Sequence, residues 1–184
     1  MSDCLAFLFL IQETIHQQEW WQRFFEGASP SEYEIYIHYK KNSHPPCLNS
    51  FFRPHVLPSS LIVPTQWGHI SQIHALYNLI SVALQNPRVT KMIYVSESCF
   101  PLYTWSIFAS IIHRQELSFL ASYSMNQERY QFLMGKHIQD CGSNGSTDPK
   151  VSDYQQQVPY ISKKKFRKMP GQGWVWNRRL GEFF

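Results

Sequence analysis

The chain has 184 residues, enough for one domain with a real core and too few for two comfortable ones. Hydrophobic residues make up 43% and aromatics 16%, which excludes a disordered chain. The net charge of +4 is unevenly spread: residues 160 to 184 carry seven Lys and Arg against Glu182 alone, a balance of +6, whereas the rest carries ten bases against twelve acids, or −2. The tail is therefore the segment suited to phosphate, nucleic acid or an anionic membrane face.

In chain order, "CLAFLFLI" (4 to 11) is a continuous apolar run of strand length, as expected of a strand buried on both faces. It lacks a basic start and a cleavage site and is too short to span a bilayer, and no other segment reaches membrane length. As it stands the chain is expected to be soluble and cytoplasmic. A helix is predicted from about His16 to Glu26, with Trp20, Trp21, Phe24 and Phe25 spaced for one face and Gly27 just past its end. "YEIYIHY" (33 to 39) alternates as a second strand. Residues 42 to 59 read as loop, and "SLIVP" (60 to 64) as a short strand stopped by Pro64. From His69 to Gln85, Ile70, Ile73, Tyr77, Ile80 and Leu84 recur at helical spacing and predict an amphipathic helix ending before Pro87. "KMIYVS" (91 to 96) is a further strand, 103 to 113 a helix and "LSFLAS" (117 to 122) a strand. This alternation predicts an α/β layered domain with a mostly parallel sheet flanked by helices.

One domain is expected over 1 to 184, with an α/β part to residue 122. A later part follows from 123 to 184, holding a Gly/Ser/Asp-rich loop at 140 to 153 and the basic tail. The four cysteines form no C-x-x-C pair, which argues against a zinc knuckle. Cys4 and Cys99 sit in apolar runs as small hydrophobes, which fits a reducing compartment.

In open α/β sheets ligands bind beyond the carboxyl ends of the strands. Polar groups fall at four such predicted ends: Gln12; His38 with Lys40 and Lys41; Gln66 with Trp67; and Ser96, Glu97 and Ser98. Together they suggest one site, although a buried structural role is the commoner fate of a lone histidine such as His38. There is no P-loop, no G-x-G-x-x-G after the first strand and no G-x-S-x-G elbow. No D-x-D occurs, so a metal held by paired carboxylates is not expected, and a phosphorylated ligand would rely on Lys and Arg.

The segments "LAFLFLIQ…WWQRFFEG…YEIYIHYK", "VPTQWGHISQIHALYNLISVALQNP", "YVSESCFPLYTW", "SFLASYSMNQERY" and "GQGWVWNRRLGEF" resemble, in order, the plant-type and microbial branch of the core-2/I-branching N-acetylglucosaminyltransferase family. The resemblance implies a GT-A, Rossmann-type domain. It also implies inverting transfer of a sugar, often N-acetylglucosamine, from its UDP form to a glycan, with no metal or other cofactor and no nucleic-acid partner. Leu10, Ile11 and Gln12 match positions lining the nucleotide, Lys40 and Lys41 fall where the second strand meets the uridine, and Trp67 matches the W of a W-G step. His38, Ser96 and Ser98 complete the expected donor set. Arg129, Tyr130, Trp174 and Arg178 fall near acceptor positions.

There are two departures. The family's general base, a Glu shortly before the late G-x-x-W segment, has no counterpart in "SKKKFRKMPG". The family also continues past the point matching Phe184, where it supplies cations for the diphosphate, and its members are usually anchored in the Golgi membrane. Three readings stay open. One is a shortened copy that binds but turns over poorly. Another is a minimal enzyme in which Glu97, Asp148 or Asp153 is the base and the cluster at 163 to 168 balances the leaving UDP. The third is a non-catalytic protein whose basic tail docks on nucleic acid or an anionic membrane surface.

Overall fold

The computed structural model describes residues 3–41, 44–67, 69–114, 123–124, 167–168 and 175–178. The chain divides into two compact units, Met1–Leu120 with Gly171–Phe184, and Ala121–Pro170. The expected strand at 117 to 122 and the expected loop at 140 to 153 both fall outside the described residues.

In the first unit, β1 (Cys4–Ile11) is fully buried along all eight residues. Side chains alternate across a strand, so its two faces feed two separate cores. Leu5, Phe7, Phe9 and Ile11 pack with α1 (Gln18–Glu26) and α3 (Trp105–His113). Cys4, Ala6, Leu8 and Leu10 pack with α2 (Ser71–Ala83). The first face is aromatic: Phe7 meets the Phe25 ring edge-on at 4.9 Å and Phe9 meets Trp21 at 5.2 Å. The second is built from smaller residues, with Ala6, Ala75 and Ala83 fully buried. Gly27 ends α1 with an ordinary right-handed backbone, so positive φ is not its purpose; a Cβ there would stand 3.4 Å from Trp105 Cβ.

β1 lies between β2 (Tyr33–Tyr39) and β3 (Val89–Ser96), parallel to both, pairing Leu10 with His38 on one side and with Ser96 on the other. β3 also pairs antiparallel with a short late strand, Val175–Asn177, giving the order β2-β1-β3-late strand. The predicted α/β sheet is thus present, with an antiparallel edge contributed by Val175–Asn177.

Two expectations change. Residues 60 to 64 do not form a strand: a 3-10 turn at Ser59–Leu61 leads into extended chain whose polar groups are already engaged. Val63 N–H donates to His38 Nε2 at 3.0 Å, and Asn78 Nδ2 donates to Leu61 O at 2.8 Å. Helix α2 buries only part of the predicted stripe, Ile80 with Leu84 partly covered. Ala75, Leu76, Leu79, Ile80 and Ala83 go inward, while Ile70, Ile73 and Tyr77 are each about half exposed.

In the second unit, Tyr123–Ser124 pairs antiparallel with Arg167–Lys168. In chain order these two are β4 and β5, which makes the late strand of the first unit β6.

Candidate functional site

β1 leads into α1, and the chain leaving β2 packs first on the same aromatic face through Leu48 and Phe52 before crossing to the α2 face at Leu57 and Ile62. The carboxyl ends of the strands are the usual ligand position of an open α/β sheet. A cavity of about 240 Å³ lies there, lined by Gln12, Glu13, His44, Pro45, Pro46 and Cys47.

Its walls are tied together by backbone. Lys40 N–H donates to Ile11 O at 2.9 Å and to Gln12 O at 3.2 Å, so the exit of β2 is fastened to that of β1. Cys47 N–H donates to Glu13 O at 2.7 Å, and the Thr14 hydroxyl donates to Cys47 O at 2.7 Å. Gln18, in the first turn of α1, donates to the Thr14 hydroxyl and accepts from Asn49 N–H at 2.7 Å. Gln12, Glu13 and Lys41 remain exposed and Lys40 half-buried, leaving polar groups of both signs at the mouth.

Glu97 closes the third side. Its Oε2 accepts the Gln12 N–H at 2.6 Å, and its backbone carbonyl accepts the His16 N–H at 3.0 Å. The carboxylate expected as a catalytic base is engaged as a clip between the ends of β1 and β3. A base must aim a lone pair at an acceptor hydroxyl, and one oxygen of Glu97 is aimed at backbone instead. Ser96 is buried, with its hydroxyl 3.2 Å from that of exposed Ser98 and 3.3 Å from the Cys99 thiol.

The remaining candidates scatter. Leu10 and Ile11 are core residues on opposite faces of β1. His38 has no exposed surface; burial pushes its pKa down to about 4, so the ring is neutral, with Nε2 accepting from Val63 and Nδ1 without a partner among the described residues. It therefore holds the segment leading to Gln66 and Trp67 and does not itself face the crevice. Trp67 is 77% exposed just ahead of α2, whose start is braced by Gln66 N–H donating to the Ser71 hydroxyl at 3.0 Å.

Arg178 stands at the other end of the sheet. Its guanidinium donates to Leu84 O at 3.0 Å, Asn86 O at 3.0 Å and Val89 O at 3.4 Å, where α2 ends and β3 begins. The acceptor contact expected of it is replaced by a cap on these carbonyls. Arg129, Tyr130 and Trp174 lie outside the described residues, as do Asp148, Asp153 and residues 163 to 165.

Two groups of site residues escaped the sequence reading. His44 to Cys47 lay in a stretch read only as loop, although Pro45-Pro46 soon after a strand end was an available signal of a stiff wall. A second cavity, of about 350 Å³, is lined by Gln17, Trp20, Phe100, Pro101 and Leu102, residues more than 80 positions apart for which no local pattern exists. Among the described residues no three His, Cys, Asp or Glu side chains gather as metal ligands, and no helix is long and apolar enough to cross a membrane. Cys4, Cys47 and Cys99 are free thiols.

A parallel sheet covered by helices on both faces, with a crevice at the carboxyl ends of its strands, is the architecture of the Rossmann-like glycosyltransferases. The chain belongs to the Core-2/I-Branching enzyme family, whose model matches residues 5–168. It is 28% identical over 123 residues to the glycosyltransferase BC10 of Oryza sativa subsp. japonica. That match takes in 65% of this chain and 30% of the rice protein, so the chain spans under a third of that relative's length. Family and relative together make this a glycosyltransferase-like chain.

Proposed function

We propose that this chain binds a UDP-sugar in the cavity at the ends of β1 and β2 and takes part in transferring the sugar, with N-acetylglucosamine the preferred candidate, to a glycan. The transfer is inverting and independent of a metal. The observation that carries this reading is the cavity of about 240 Å³ at the carboxyl ends of β1 and β2 in a chain that belongs to the Core-2/I-Branching enzyme family.

In this reading Gln12 and Glu13 meet the nucleotide at the end of β1, and Lys40 and Lys41 offset diphosphate charge from the end of β2. Glu97 positions the β1–α1 connection. The general base is assigned to none of these.

Thermal unfolding with UDP, UDP-N-acetylglucosamine and UDP-xylose, each with and without EDTA, tests the proposal. A site that binds only the folded chain stabilises it by RT ln(1 + [L]/Kd), about 2.7 kcal/mol at roughly 100 Kd, and here the chelator should make no difference. If no nucleotide sugar raises the midpoint, the donor site is refuted. A rise that EDTA abolishes would refute metal independence alone.

A further inference from the structure

The β1–α1 connection serves two cavities: Gln12 and Glu13 line the crevice at the strand ends, and Gln17, with Trp20, Phe100, Pro101 and Leu102, lines the second. Glu97 pins this connection at Gln12 and His16.

Both walls of the second cavity share an anchor. Trp21 is buried, and its indole Nε1–H donates to Cys99 O at 2.9 Å, joining the first turn of α1 to the turn that carries Phe100 to Leu102. Next to this anchor the Trp20 ring stands 58% exposed, with the Arg23 guanidinium 5.8 Å above one face. Opposite it Phe100 is 55% exposed and Leu102 77%. These apolar side chains are held out into solvent, and among the described residues Gln17 is the polar member of the lining. None of the five carries a charge, and the neighbouring Arg23 guanidinium is seated on Trp20. A pyranose would fit, because its ring presents a face of C–H bonds to an aromatic plane while its rim hydroxyls reach an amide.

We propose that this groove seats a sugar ring of the acceptor glycan, with Trp20 and Phe100 as stacking walls and Gln17 as the hydrogen-bonding group. The proposal rests on the glycosyltransferase reading for the word acceptor, and on the groove alone for the word sugar.

The test uses the full chain labelled with fluorotryptophan, the Trp20 fluorine resonance being assigned through Trp20→Phe. The probes are the methyl β-glycosides of N-acetylglucosamine, galactose and xylose. At least one should shift the Trp20 resonance saturably. Phe100→Ala and Leu102→Asp, both at exposed positions, should weaken that binding about fivefold to tenfold, as loss of an aromatic or apolar wall predicts. UDP should stabilise both variants as it does the parent chain.

If UDP stabilises the chain but no glycoside moves the Trp20 resonance, the groove assignment is overturned and the donor site stands. Equal glycoside affinity in Phe100→Ala also overturns it. So does a Trp20 resonance that follows protein concentration instead of glycoside, since a second copy of the chain would then be the occupant. Glycoside binding at Trp20 without any UDP effect upholds the groove and removes the transferase reading.

Discussion

Glu97 shows how one side chain can be read two ways until its partner is known. The bond from Gln12 N–H to a carboxylate is charge-assisted, a type that contributes roughly 1.5–3 kcal/mol when shielded and less at a rim. Glu97→Gln keeps an oxygen for Gln12 and should cost about 1 kcal/mol or less, whereas Glu97→Ala leaves the amide open and should cost about twice that. Urea melts of the two variants check the order. Loss of all turnover in Glu97→Gln, with stability and UDP binding intact, would return Glu97 to the role of base. At His38 the prediction concerns pH. Its folded pKa, about 4, lies below the ordinary 6.5, so the native state favours the neutral ring. The stability this contributes is fully present above pH 6.5 and is lost as pH falls from there towards 4. Replacing His38 by Gln should flatten that limb of the stability profile, at the cost of about 1–3 kcal/mol at neutral pH from imperfect satisfaction of Val63 N–H. Urea midpoints measured every half pH unit decide this.

Among the elements, α2 gives the sharpest contrast between two faces. Leu79 has no exposed surface and packs beneath β1, so Leu79→Ala should cost about 2–5 kcal/mol. Tyr77 is half exposed, and Tyr77→Ser should stay within about 0.5 kcal/mol. Had the predicted stripe been the buried one, the order would reverse. Both stripes of α2 are apolar, so the 3.6-residue period identifies a helix without choosing its inner face. The choice is made by the small residues Ala75 and Ala83, which let the helix lie close to Ala6 on β1. β1, β2, β3 and the three helices were legible because each carries its own local signal, an apolar run of strand length in β1 and β3, alternation in β2 and helical spacing in α1 and α2. β6 was not, because three residues hold no period and their pairing with Lys91, Met92 and Ile93 is decided more than 80 residues away. The same difference divides the site. Gln12, Lys40 and Glu97 follow from knowing where strands end, whereas the walls at His44 to Cys47 and at Trp20 with Phe100 depend on tertiary packing. His38 shows the limit of the strand-end rule, since alternation turned its side chain inward.

For the first unit as a whole, the sheet has two ends with separate duties. The carboxyl ends of β1, β2 and β3 hold both cavities, while the amino end of β3 is fastened by Arg178 and by Glu34, which accepts from Asn86 Nδ2 and from the Tyr36 hydroxyl. Arg178→Ala removes a charged donor from three carbonyls and should cost about 3 kcal/mol while leaving the UDP-induced shift in midpoint unchanged. An Arg178→Ala chain of normal stability that no longer responds to UDP would show that this end does not merely fasten the sheet. β1 carries a different implication, for the time course of synthesis. Its residues are apolar on both faces, and one of its long flanks is covered by β3. Gln12 and its partner Glu97 are 85 residues apart, so at roughly 5–20 residues per second an octapeptide with the character of a cross-β seed waits about 4–17 s for its second neighbour. Yield of the folded chain should therefore depend on translation speed and on chaperones that shelter nascent apolar segments, quite apart from how stable the finished sheet is.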